Sequence, residues 1–289
     1  EIKIGKDGIG LYLVGTGTAN INSKIELSES DKGTTIGVYS DGNSNVLFGT
    51  GTVLNIGKGA VGLYSLDASK FNNTFKIKTG EKLVVSLGDN SALALLSGNT
   101  NSSISLKSFL NNNANDKIEI NSFGSGASLF YIKDGSKAVL DENYTITTGG
   151  LNSTSVLVGT GSGSKVEISS GKTLKTNTHV GLVATDSSTA ENSGILESTR
   201  NKGVGVYASQ STAINSTTGA IKMTMDESVG ILGENNSSLK NSKYITLSGK
   251  SSAGIYGKDS NIEQDATAKI DVEKETSAGI YAILTSNAN

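Results

Sequence analysis

"SAGIYG" occupies residues 252–257, and "SAGIYA" follows at residues 277–282, 25 positions later. Five of the six residues agree, so the interval is a candidate for the period of the whole molecule. Alignment on "GIY" finds "IGLYL" from Ile9, "IGVYS" from Ile36, "VGLYS" from Val61, "SALAL" from Ser91 and "ASLFY" from Ala127. It continues with "TSVLV" from Thr154, "VGLVA" from Val180, "VGVYA" from Val204, "VGILG" from Val229, "AGIYG" from Ala253 and "AGIYA" from Ala278. The intervals between these eleven starts are 27, 25, 30, 36, 27, 26, 24, 25, 24 and 25 residues.

Each column of this alignment has a physical meaning. The third position is aliphatic throughout: Leu11, Val38, Leu63, Leu93, Leu129, Val156, Leu182, Val206, Ile231, Ile255 and Ile280. The second is usually glycine and the fourth often tyrosine. Alternation with period two predicts a short strand whose first, third and fifth residues face inward, leaving the glycine and tyrosine outward. The last full repeat, "AGIYGKDSNIEQDATAKIDVEKETS", carries two more strand-like pieces, around Ile262 and at Ile270/Val272. The final pair recurs as Ile25/Leu27, Ile118/Ile120, Ile221/Met223 and Ile245/Leu247.

Three short strands joined by Gly, Ser, Asn and Asp turns in about 25 residues describe one coil of a parallel β-helix. The expectation is an all-β, right-handed parallel β-helix of about eleven coils, a single segment over residues 1–289. Equivalent strands would lie about 4.8 Å apart along the axis, with aliphatic ladders between them. A propeller blade would need about 40–45 residues and hairpin signals that are not present.

Composition agrees. Average usage would give roughly 14 prolines in a chain this long, and there are none. Proline cannot donate to a ladder, so strands paired on both sides exclude it. The absence of cysteine removes a disulfide framework and thiolate metal sites. A net charge of −2 and a single arginine, Arg200, point away from nucleic acid and from acidic membrane surfaces. No apolar run approaches the 18 residues of a membrane helix, and "EIKIGKDGIG" has no signal-peptide core. The chain starts and stops within its pattern and reads as a segment of something longer.

Chemical signals are sparse. His179 is the only histidine, so a Ser–His–Asp site would depend wholly on it; a satisfied turn histidine is the simpler reading. "VGTGTAN" (14–20), "FGTGTVL" (48–54) and "VGTGSGS" (158–164) match neither dinucleotide nor P-loop spacing and read as glycine turns. Outward acids Glu26, Glu119 and Asp271 are far apart, and Asp141/Glu142 and Asp226/Glu227 read as solvated turns. We therefore assign no catalytic residue, metal ligand or cofactor, although some parallel β-helices degrade polysaccharides.

Two features suggest binding. The two longest intervals place extra residues in "SGNTNSSISLKSFLNNNANDK" (97–117), an extruded loop whose candidate contacts are Phe109, Leu110, Asn111, Asn112 and Asn113. The alternative is a distorted coil filled by Ile104, Leu106, Phe109 and Leu110. The outward tyrosines Tyr12, Tyr39, Tyr64, Tyr207, Tyr256 and Tyr281 would form strips suited to sugars or proteins, with Tyr207, Tyr256 and Tyr281 as candidate contacts. Here the alternative is a ring-on-ring ladder that only stabilises the sheet.

The repeats "VGVYASQSTAIN", "VGILGENNSSLKN", "AGIYGKDSNIEQ" and "SAGIYA" resemble the passenger domains of type V autotransporters. They look closest to the large outer-membrane adhesins of fusobacteria, the RadD-like group; residues 91–160 depart from the pattern. The resemblance implies a cell-surface segment anchored through a C-terminal barrel outside this chain. It also implies attachment to a host-cell receptor or glycan, or to a partner bacterium, without membrane insertion by the segment itself. A passive stalk and a polysaccharide-degrading enzyme remain the alternatives.

Overall fold

A computed structural model describes residues 1–31, 33–98, 103–105, 117–146 and 154–283. The chain is an all-β parallel solenoid of about ten turns, roughly 25 residues each. It divides into two compact units, Glu1–Ala138 with Leu151–Thr154, and Val139–Gly150 with Ser155–Asn289.

In the first unit, one sheet stacks Ile9–Leu13, Ile36–Ser40, Val61–Ser65, Ala92–Leu96 and Ser128–Ile132 in parallel. A second stacks Ile2–Ile4, Lys24–Leu27, Val53–Ile56, Lys82–Leu87 and Lys117–Phe123, and a third Gly17–Ile21, Ser44–Phe48 and Phe75–Ile77. Like residues pair with like: Val38 with Leu63, Ile25 with Leu54, Leu54 with Val85. All five are buried, and each such side chain stabilises the fold by about 1.5–3 kcal/mol.

One element is not a strand. A short 3-10 turn, Ala68–Lys70, runs into a helical turn, Phe71–Thr74, before the strand Phe75–Ile77. The Asp67 side chain caps it by accepting from the Ser69 amide at 3.1 Å. The turn drives Phe71 into the core, 5.2 Å from the Phe75 ring and 6.3 Å, edge-on, from Phe130.

The second unit is more regular. Its first sheet holds Ser155–Thr160, Val180–Thr185, Val204–Ser209, Val229–Glu234, Ala253–Lys258 and Ala278–Ile283. The second holds Lys165–Ile168, Thr189–Asn192, Thr212–Asn215, Ser238–Asn241 and Asn261–Gln264. The third holds Tyr144–Ile146, Thr173–Thr176, Ile195–Ser198, Ala220–Met223, Tyr244–Leu247 and Lys269–Val272. At the corner after the second sheet, fully buried Asn192, Asn215 and Asn241 form an amide column. Asn192 Nδ2 donates to Asn215 Oδ1 at 2.8 Å, Asn215 Nδ2 to Asn241 Oδ1 at 2.8 Å, and Asn241 Nδ2 to Gln264 Oε1 at 2.9 Å. Buried amides would be costly unpaired; linked this way, each bond contributes about 0.5–1.5 kcal/mol. The column begins where Ile168 gives way to Asn192, whose buried Oδ1 consequently has no partner.

Two sequence expectations are corrected. The register of residues 91–160 slips by one. Ala94 pairs with Leu63, Phe130 with Ala94 and Leu157 with Leu182, so these residues take the third column in place of Leu93, Leu129 and Val156. Leu93, Leu129 and Val156 are nonetheless buried, because they occupy the second column. That column is not outward at all. A Cβ on Gly37 would lie 2.5 Å from the Gly62 carbonyl oxygen, and one on Gly205 2.6 Å from that of Gly230. Glycine is needed there for contact between turns, not to make room for tyrosine.

Candidate functional site

The slip in register changes which tyrosines belong together. In the first unit the fourth column of the first sheet reads Tyr12, Tyr39, Tyr64, Leu95 and Tyr131. The Tyr12 and Tyr39 rings stack at 4.7 Å and 13°, and those of Tyr39 and Tyr64 at 5.3 Å and 19°. Burial between its neighbours pushes the Tyr39 hydroxyl pKa above its ordinary value. Stacked in this way, the inner rings spend their faces on each other and present edges and hydroxyls to solvent. Such a column stabilises the sheet more than it recognises a sugar.

In the second unit the same column reads Val158, Val183, Tyr207, Leu232, Tyr256 and Tyr281. Tyr256 and Tyr281 stack at 5.4 Å and 18°, but Leu232 separates Tyr207 from them. The Tyr207 hydroxyl instead donates to Glu234 Oε2 at 3.2 Å. The three candidate-contact tyrosines are therefore a stacked pair, Tyr256 and Tyr281, and a separate ring, Tyr207. Phe109, Leu110, Asn111, Asn112 and Asn113 lie outside the described residues.

The feature missed in the sequence is a groove beside Tyr131. Counted from Ala127, Tyr131 falls at the fifth, inward position; in the structure it is fourth and half-exposed. It lines a groove of about 590 Å³ floored by Val61, Ala92 and Leu95 and edged by Lys58, Asn90 and Lys133. Lys133 Nζ stands 6.0 Å above the Tyr64 ring centroid and 3.6 Å from Asp134. The acid on the rim, Asp31, is held by Lys6, whose hydrogen bond and charge lower its carboxyl pKa. The signal available was "SLFYI": placing Tyr131 beneath Tyr64 sends Ser128, Phe130 and Ile132 inward, as observed. A second groove, of about 570 Å³ along Glu26, Asn55, Ser86 and Ser122, has no aromatic wall.

The acids weighed for hydrolysis are occupied. Glu26 pairs with Lys24, Glu119 with Lys82 at 3.2 Å and Asp271 with Lys269 at 2.6 Å. Glu142 meets Lys172 at 3.2 Å, and Glu227 meets Lys202 at 3.4 Å. Among the described residues, no group of three or more His, Cys, Asp and Glu side chains is placed to hold a metal ion. Also among them, no helix is long and apolar enough to cross a membrane.

His179 precedes the strand Val180–Thr185 and is half-buried. Burial lowers its pKa, the Arg200 charge adds to the effect, and a hydrogen bond with the Lys202 backbone opposes it. Between the folded and unfolded pKa values the unfolded chain binds more protons. The contribution of His179 is thus fully present above its unfolded pKa, about 6.5, and lost as pH falls through the lower folded value. Urea melts at pH 7.5 and pH 5.5 should show a larger loss for the wild type than for His179→Gln. Equal losses would mean that the imidazole titrates as it does in water.

Comparison with protein-family models, curated proteins and solved structures returned no match.

Proposed function

We propose that the chain is a non-catalytic segment of a bacterial cell-surface adhesin of the autotransporter-passenger type. It would be anchored in the outer membrane through a barrel elsewhere in the protein and bind a host receptor or glycan, or a partner bacterium. The observation that carries this reading is the groove beside Tyr131, where an aromatic wall, an apolar floor and lysines converge on a solenoid of short polar turns. The lysine-paired carboxylates favour binding over hydrolysis. The absence of proline and cysteine suits export followed by folding turn upon turn.

A second reading, a passive stalk, is favoured by the regular turns of residues 154–283. Fluorescently labelled protein incubated with host epithelial cells and with other bacteria separates the two. Saturable attachment is expected for an adhesin, and none for a stalk. A folded variant with residues 97–117 shortened toward a regular coil would show whether that stretch contributes.

A further inference from the structure

We propose that the groove formed by Tyr131, Lys58, Lys133 and Asn90 is a subsite for an acidic pyranose sugar, one bearing a carboxylate or a sulfate. This rests on the adhesive reading and names its ligand chemistry. The four side chains come from three turns, Tyr131 and Lys133 sharing one, and the register that places Leu95 and Tyr131 in one column brings them to the same groove.

Tyr131 stands next to an aliphatic neighbour, Leu95, where the upper rings of the column stack on one another. An aromatic wall beside the apolar surface of Val61, Ala92 and Leu95 suits the C–H face of a sugar ring. A groove of about 590 Å³ lies within the usual range of small-ligand sites. The Asn90 amide can donate to and accept from ring hydroxyls.

Charge selects among sugars. Lys58 and Lys133 edge the groove; Asp31 is engaged by Lys6, and Asp134 stands 3.6 Å from Lys133. Three lysines against two aspartates leave the balance positive, which favours an anionic ligand. Both cations are lysines, compact point charges that can meet a carboxylate or a sulfate alike.

The test titrates the intact protein with 3′-sialyllactose, lactose and 3′-sulfolactose, read by calorimetry and by saturation-transfer NMR. Sialyllactose or sulfolactose should bind at least tenfold tighter than lactose, and the tighter of the two identifies the acidic group. Tyr131→Ala and the double variant Lys58→Gln/Lys133→Gln should each weaken that binding at least tenfold, with circular dichroism confirming the fold. Tyr12→Ala, outside the groove, should leave binding unchanged. Absence of binding by both acidic sugars, equal binding of lactose, or indifference to the groove variants each overturns the proposal. Attachment to cells without sugar binding defeats this inference alone; absence of both defeats the adhesive reading too.

Discussion

Replacing Gly230 by alanine is expected to cost about 3 kcal/mol, the upper end of the overpacking range. The same change at Gly279, in the same column, should stay within about 0.5 kcal/mol. A Cβ on Gly230 would lie 2.5 Å from the Gly254 carbonyl oxygen and 2.8 Å from Ile245 Cγ2; on Gly279 it meets nothing within 4 Å. The oxygen belongs to the backbone of the next turn, between Ala253 and Ile255, which pair with Val229 and Ile231. It can retreat only by shifting that paired backbone, and Ile245 is fully buried with little room to move. The column does hold Leu93, Leu129 and Val156, but these follow one another in successive turns, so their neighbours differ too. A lone methyl in the glycine run has no such accommodation. Urea denaturation of the two variants decides the matter: equal costs would mean that the turns separate freely and that glycine there is incidental.

That column shows what the sequence can and cannot convey. The period was readable because "GIY" recurs with aliphatic residues two apart, and parallel stacking needs the same residue type in each turn. Alternation, however, assumes that every second residue points away. The turn-to-turn pairing passes from the first to the third residue of each motif, as from Ile36/Val61 to Val38/Leu63. The second residue is enclosed between them, an outcome that period two cannot anticipate. The slip at residues 91–160 has a related cause. "SALAL" and "ASLFY" satisfy the aliphatic rule in two registers, and only pairing with Leu63 and Tyr64 distinguishes them. One residue of offset took Tyr131 off the outward column and hid the groove. The asparagine column was obscured differently. Asn is common in the turns of this chain, and Asn192, Asn215 and Asn241 stand out only once their burial is known.

The two units also distribute their stabilisation differently. Residues 154–283 repeat aliphatic columns, an amide column and ion pairs between turns, such as Lys175–Glu197 at 2.6 Å and Lys240–Glu263 at 2.6 Å. Such exposed pairs are worth about 0–1 kcal/mol each, so they tune the surface and the interior carries the fold. The first unit departs from strict repetition and fills the departure with aromatic rings.

Phe71→Ala should therefore be the most damaging single truncation in the first unit, at about 3–5 kcal/mol. The side chain is fully buried and comes from the helical turn, not from a strand, so no equivalent residue one turn away can take over its space. Its removal leaves Phe75 and Phe130 facing a cavity, and Phe75 also supports Phe48 at a 6.4 Å ring separation. Phe71→Leu keeps most of the volume and should cost less than about 1.5 kcal/mol. In a repeat architecture the damage stays near its source. Hydrogen exchange should accelerate at amides of Val61–Ser65 and Phe75–Ile77 while those of Val204–Ser209 keep their wild-type rates. Acceleration shared equally by both stretches would mean that the chain unfolds as one cooperative body, and a cost below 1 kcal/mol would mean that the rings close over the gap.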